Sequence, residues 1–182
     1  MLKQTPSQTV GPYYAYAWTP ELYGRRAILS NVLATTDTPG ERIRLQGTVT
    51  DGEGTPIRDC ILEIWQADAE GRIQPGAAGF GRCGTTEEGV YHFDTVKPGS
   101  TGDGEAPQIA MTVFARGMLV HAFTRVYFAD EERANAEDPT LAVVPADRRA
   151  TLLAERTVTP GGVVYRFDVR LQGDRETVFF DL

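Results

Sequence analysis

The sequence predicts an all-β protein, an antiparallel β-sandwich with a long extended N-terminal arm and a few short helices. Three observations carry that expectation. Short runs with a period of two recur from residue 43 onward, clusters of Gly, Pro and Asp separate them, and only two segments read as helical. Residues 1–182 are expected to form a single domain, with 1–42 as the arm and 43–182 as the sandwich.

The arm comes first. "TPSQTVGPYYAYAWTPELYG" sets Pro6, Pro12 and Pro20 among Tyr13, Tyr14, Tyr16, Trp18 and Tyr23. Prolines interrupt regular structure, and so many aromatic rings are costly to leave in water. The arm therefore packs on something, either its own sandwich or a partner subunit, because interfaces are enriched in Tyr, Trp and Arg.

The strands come next, in order. "IRLQGTVTD" (43–51) alternates Ile43, Leu45 and Gly47 with polar residues, and "DGEGTPIRD" after it is a turn. "CILEIWQAD" (60–68) puts Cys60, Leu62 and Ile64 on one face and Ile61, Glu63 and Trp65 on the other. "GVYHFDTV" (89–96) precedes "KPGSTGDGEAP", a loop too rich in Gly and Pro to be regular. The next strand starts at Gln108 and sends Ile109, Met111, Val113 and Ala115 to a core face. Its other face is Gln108, Ala110, Thr112, Phe114 and Arg116, an unusual series for a solvent side. "LVHAFTRVYF" (119–128), "VVYRFDVRLQG" and "TVFFDL" complete the strands. "ADEERANAED", with Asp130 as N-cap, and "ADRRATLLAERT" are the two helix candidates.

Composition narrows the function. A net charge of −7 disfavours nucleic acid and anionic membranes. No apolar run reaches the roughly 20 residues of a membrane helix. "MLKQTPSQTV" has no apolar signal-peptide core, so the cytoplasm is the expected location. Cys60 and Cys83 stand 23 positions apart and are expected as buried thiols, with a disulfide as the alternative. Sixteen of the eighteen basic residues are Arg, which suits carboxylate recognition and is equally the mark of a GC-rich coding bias.

Taken alone, the residues form no decisive catalytic constellation. "GFGRCG" (79–84) lacks the strand-then-helix context of a phosphate loop. His92 and His121 read as ordinary strand residues, and Glu63 reads as a buried, paired carboxylate. An independent site built from these three has no spacing to support it.

Segments along the whole chain nevertheless resemble the intradiol ring-cleavage dioxygenase family: "TPSQTVGPYY", "GTVTDGEGTPIRDCILEIWQADAEGR", "FGRCGTTEEGVYHFDTVKPG", "IAMTVFARG" and "TRVYFADEERANAEDP". "FARG" and the tail "RLQGDRETVFFDL" resemble the α subunit of its two-chain members. The resemblance implies a ferric ion held by two tyrosinates and two histidines, a donor set suited to hard Fe(III). It further implies a catechol substrate, protocatechuate, opened by O2 between its hydroxyl-bearing carbons to 3-carboxy-cis,cis-muconate.

Carried onto this chain, the two histidine positions are Gln108 and Ala110. The tyrosine positions are Ile73 and Thr101, or Ser100 if the loop is gapped differently. Ile and Ala offer no donor atom, so no metal ligand and no catalytic residue is expected in this chain. The resemblance then implies Fe(III) in an obligate β subunit, with this chain lining part of the substrate pocket through Thr9, Gly11, Pro12 and Arg116. Arg116 would meet the substrate carboxylate; the alternative for it is a surface salt bridge. The competing reading of the whole chain is a non-catalytic, transthyretin-like β-sandwich binding module.

Overall fold

The computed structural model describes Gly11, residues 14–76 and residues 78–181. The described residues form nine strands: β1 Arg42–Thr50, β2 Ile61–Trp65, β3 Phe80–Gly84, β4 Val90–Val96, β5 Gln108–Phe114, β6 Ala122–Phe128, β7 Leu153–Thr159, β8 Gly162–Arg166 and β9 Val169–Arg170. Their order in the sheet is β3-β2-β5-β6-β7-β8-β1-β4, with β9 pairing on β1. The helices are short: α1 Tyr14–Trp18, α2 Glu132–Glu137 and α3 Pro139–Val143, with 3-10 turns at Pro20–Tyr23 and Arg149–Leu152.

The sheet is mixed, which corrects the expectation of antiparallel pairing throughout. β1 runs parallel to β8 and to β9, and β6 runs parallel to β7. The reason lies in β7. Leu153 and Ala154 pair with Tyr127 and Phe128 of β6, and from Glu155 the same strand turns to pair with β8. A strand that changes neighbours midway links the two halves of the sheet and sets the direction in which β8 meets β1. Inward residues of β1 and β4 (Leu45, Phe93) share one core cluster with those of β2, β5 and β6 (Ile64, Met111, Phe128).

Alternation is obeyed along the strands that display it. On β5, Ile109, Met111 and Val113 are fully buried, while Gln108, Ala110, Thr112 and Phe114 are partly covered. On β2, Leu62 and Ile64 face the core with Cys60 just before them and Trp65 is exposed, but Ile61 on the outer face is also buried. Several elements differ from expectation. "GFGRCG" is largely strand β3, whose Cys83 pairs with Leu62. "TVFFDL" makes only an isolated bridge, Phe180 to Phe123. "ADRRATLLAERT" is one 3-10 turn that passes into β7.

Asp130 is not the cap of α2; Glu131 occupies that position. Asp130 instead accepts from Lys97 at 3.0 Å and from the Tyr165 hydroxyl at 2.9 Å. A cation and a phenol offer this carboxylate more than one helix terminus does. The cap that forms is Asp138, which accepts from the Leu141 amide at 2.8 Å and starts α3.

The described arm is not extended. It forms α1 and the turn at Pro20–Tyr23, and then runs along the two free edges of the sheet path. Ser30 accepts from the Arg82 amide of β3 at 3.1 Å, and Asn31 accepts from the Asp94 amide of β4 at 2.9 Å. Leu33 returns a bond to the Asp94 carbonyl at 2.8 Å. Unpaired edges invite pairing with other chains, so the arm caps both at once. The described arm thus bonds to its own sheet, while Tyr16, Leu22, Tyr23 and Ile28 remain exposed along it.

Candidate functional site

The outer face of β5 organises the candidate site. Antiparallel register brings Trp65, Glu63 and Ile61 of β2 beside Ala110, Thr112 and Phe114. On the other side, Tyr127, Arg125 and Phe123 of β6 lie opposite Gln108, Ala110 and Thr112. Directly opposed residues on one face touch, so this array is set by strand pairing alone.

At the Phe114 end the face is aromatic. The Trp18 ring of α1 meets Phe114 edge-on at 4.7 Å, and Phe114 lies 5.5 Å from His121. The Arg82 guanidinium sits 4.9 Å from the centre of the Trp18 ring and also pairs with Glu63 at 2.5 Å. Both members of that pair are 16% exposed, so Glu63 is a structural carboxylate, as its pattern suggests. His92 is also structural: Asn31 Nδ2 lies 3.0 Å from its Nε2. His121 sits between Phe114 and Phe123. Among the described residues no three His, Cys, Asp or Glu side chains group as a metal site.

At the Gln108 end lie three of the four positions that the resemblance pairs with a ligand set: Gln108 and Ala110 on β5, and Thr101 joined to them through Glu105 and Arg125. Thr101 donates to Glu105 at 2.8 Å, and Glu105 accepts from Arg125 at 3.2 Å. Arg125 lies directly across from Ala110. Ile73 is 57% exposed and follows a loop tied to the same region, since a Cβ on Gly71 would sit 1.8 Å from the Ser100 carbonyl oxygen. Gln108 Oε1 is buried with no hydrogen-bond partner among the described residues. The residues do not suit a ferric ion: two have no donor, the Thr101 hydroxyl is engaged, and a cation already faces Ala110.

Sequence reasoning misses Arg125 and Glu105. Burial opposes the Arg125 charge, but hydrogen bonds to Tyr127 and Glu105 outweigh it and hold the guanidinium pKa above its ordinary value. Burial and the nearby Asp138 carboxylate push the Tyr127 hydroxyl up to about 12. Both groups keep one protonation state across the neutral range.

Arg116 follows β5 and is 49% exposed, with its Nε 3.0 Å from Asp59. Asp59 is a non-glycine residue at φ 65°, and its carbonyl accepts the Tyr14 hydroxyl. Arg116 thus touches the arm through one residue. It also lines a cleft of about 410 Å³ with Ile57, Met118, Leu171 and Phe179. Gly11 has φ 74°, with open space where a Cβ would stand. Thr9 and Pro12 lie outside the described residues. Clefts of about 470 and 670 Å³ elsewhere are lined by none of the predicted site residues.

Cys60 and Cys83 are free and buried, as expected. Burial, with a contribution from Cys83, pushes the Cys60 thiol up to about 12, and burial raises Cys83 too. Since the thiolate is the reactive form, neither cysteine of the native chain is expected to titrate with Ellman's reagent at neutral pH. Both should react in denaturant; rapid native labelling of either would contradict their burial.

The family model described as "Dioxygenase" matches residues 11–173. The chain is 50% identical to the protocatechuate 3,4-dioxygenase alpha chain of Burkholderia cepacia, covering 100% of this chain and 98% of that one. It is 30% identical to the beta chain of the same enzyme from that organism, over 80% of this chain and 71% of the relative. Among solved structures it is similar to the dioxygenase domain of a dioxygenase carbohydrate-binding protein fusion from Streptomyces sp. SirexAA-E. That match has a TM-score of 0.67 and 26% identity, covering 94% of this chain and 99% of the other. In the described residues no helix is long and apolar enough to cross a membrane.

Proposed function

The chain belongs to the intradiol ring-cleavage dioxygenase family, and from that premise we propose that it is the α subunit of a protocatechuate 3,4-dioxygenase, working with a β subunit that holds Fe(III). The observation that carries this reading is the refilled outer face of β5. Where the family resemblance places four metal ligands, this chain has Ile73, Thr101, Gln108 and Ala110, with Arg125 and Glu105 packed among them. A chain that matches an α chain over its full length, with no metal donor set among the described residues, has its chemistry completed elsewhere.

The role left to this chain is to bind and orient. In the two-chain enzyme, Fe(III) held by β would supply activation of the catechol for cleavage by O2 between its hydroxyl-bearing carbons, giving 3-carboxy-cis,cis-muconate. Arg116 holds the substrate carboxylate, with Asp59 fixing the guanidinium through Nε. A planar fork so fixed matches a carboxylate bidentately and loses little freedom on binding. Thr9, Gly11 and Pro12 are the other pocket residues that the resemblance implies, and of these Gly11 lies among the described residues. The generic binding-module reading has no use for an arginine positioned this way beside an aromatic arm.

The experiment is made in the assembled two-chain enzyme. Arg116→Ala is expected to lower kcat/KM about 10- to 100-fold, the worth of a charge-assisted hydrogen bond of roughly 1.5–3 kcal/mol. The change should appear mainly in KM, with iron content and assembly intact, and Arg116→Lys should recover part of it. Unchanged steady-state kinetics for the alanine variant would remove Arg116 from the substrate pocket.

A further inference from the structure

The four former ligand positions do not simply lack donors. Arg125 lies opposite Ala110 in the β5–β6 register, so both side chains emerge on one face at neighbouring sites. Its guanidinium is only 29% exposed and pairs at 3.2 Å with Glu105, itself 28% exposed. Glu105 also accepts the Thr101 hydroxyl at 2.8 Å. A side chain from one former ligand position and a cation facing another are thus joined through one carboxylate. A guanidinium keeps its charge even when partly buried.

We propose that Arg125, held by Glu105, is a resident cation that takes the place of a metal ion on this face, so restoring ligand side chains is not sufficient to restore metal binding. The inference rests on reading Gln108, Ala110, Thr101 and Ile73 as former ligand positions. The physical reason is charge. A divalent or trivalent ion brought beside Arg125 meets a like charge at a partly buried position, where Coulomb repulsion is screened less than in bulk water. The same guanidinium occupies Glu105, the carboxylate best placed to neutralise an incoming metal. Removing the arginine lifts the repulsion and frees that carboxylate together.

The test uses the full chain and Zn2+ as probe, read by calorimetry. With Gln108→His and Ala110→His together, two imidazoles stand two residues apart on one strand face, a chelating pair for zinc. That double variant is expected to bind Zn2+ no better than the unaltered chain. Adding Arg125→Gln should tighten binding by at least about tenfold, roughly 1.4 kcal/mol. Adding Arg125→Lys instead, which keeps the charge, should not. The proposal is overturned if the double variant binds as tightly as the triple with glutamine, or if that triple binds no zinc.

A milder pair keeps the question open to measurement should the histidine variants not fold. Ala110→Cys adds a single heavy atom, and the native thiols are buried. The introduced thiol should have a pKa about one unit lower with Arg125 present than with Arg125→Gln, read from the pH dependence of alkylation. Equal pKa values would show that no cation faces position 110. None of these measurements depends on a β subunit or on turnover, so failure here is separable from failure of the α-subunit reading.

Discussion

Purified without a β partner, the chain is expected to hold no iron, to lack the colour of a ferric phenolate centre and to open no catechol ring. Activity should fall to background, a loss of at least about a millionfold, since nothing remains that accelerates the reaction. The reason is chemical. Ile73 and Ala110 carry no donor atom, the Thr101 hydroxyl donates to Glu105 at 2.8 Å, and Arg125 faces Ala110 across the strand pair. His92 and His121 cannot substitute. His92 is joined to Asn31, and His121 lies among aromatic rings, with no metal-ligating cluster among the described residues. Co-expression with the β chain should restore iron and ring cleavage together. Metal analysis and oxygen uptake with protocatechuate check both halves, and a coloured, active preparation of this chain alone overturns the reading.

Much of this is legible in the sequence because alternation along a strand is a local property. The core face of β5 and the inward set Cys60, Leu62 and Ile64 come from a period of two and need no knowledge of neighbours. Pairing is not local. Arg125 stands in "TRVYF" as an ordinary polar residue of an alternating run, and only the β5–β6 register sets it opposite Ala110. Glu105 reads as part of an irregular loop, and its bonds to Thr101 and Arg125 depend on how that loop closes. The parallel pairings escape for the same reason: β7 changes neighbours at Glu155, and no composition signal marks that position. The arm's helix α1 sits in a segment whose prolines argue against regular structure. Pro20 follows Tyr14–Trp18 and does not interrupt it, so that proline opens the next turn beyond the helix. Arg116 reads as either salt bridge or substrate contact, and its bond to Asp59 makes those readings compatible.

Gly47→Ala is expected to destabilise the fold by about 3 kcal/mol or more, large for a single added methyl group. Gly47 lies in β1 where the chain passes from β8 to β9, both of which run parallel to it. A Cβ there would stand 1.8 Å from the Phe167 carbonyl oxygen and 2.6 Å from its carbon. The obstacle cannot step aside. The Phe167 carbonyl accepts the buried Tyr91 hydroxyl at 2.6 Å, and the Phe167 amide donates to Gln46 at 2.8 Å. The next residue is held as well, because the Asp168 carboxylate accepts from both the amide and the hydroxyl of Thr48 at 3.0 Å. Any shift that relieves the clash breaks a buried hydrogen bond, so the cost cannot relax away. Gly161→Ala is the control, since its nearest neighbour would be 3.7 Å from the new Cβ, and it should change stability by less than about 0.5 kcal/mol. Urea denaturation of both variants checks the difference, and equal midpoints would mean that the crossing is softer than its hydrogen bonds indicate. The consequence reaches the cleft beside Arg116. Leu171, next after β9, donates its amide to Thr50 at 2.9 Å and forms one wall of that cleft. Loosening the crossing at Gly47 is therefore expected to disturb the cleft that Leu171 lines together with Arg116.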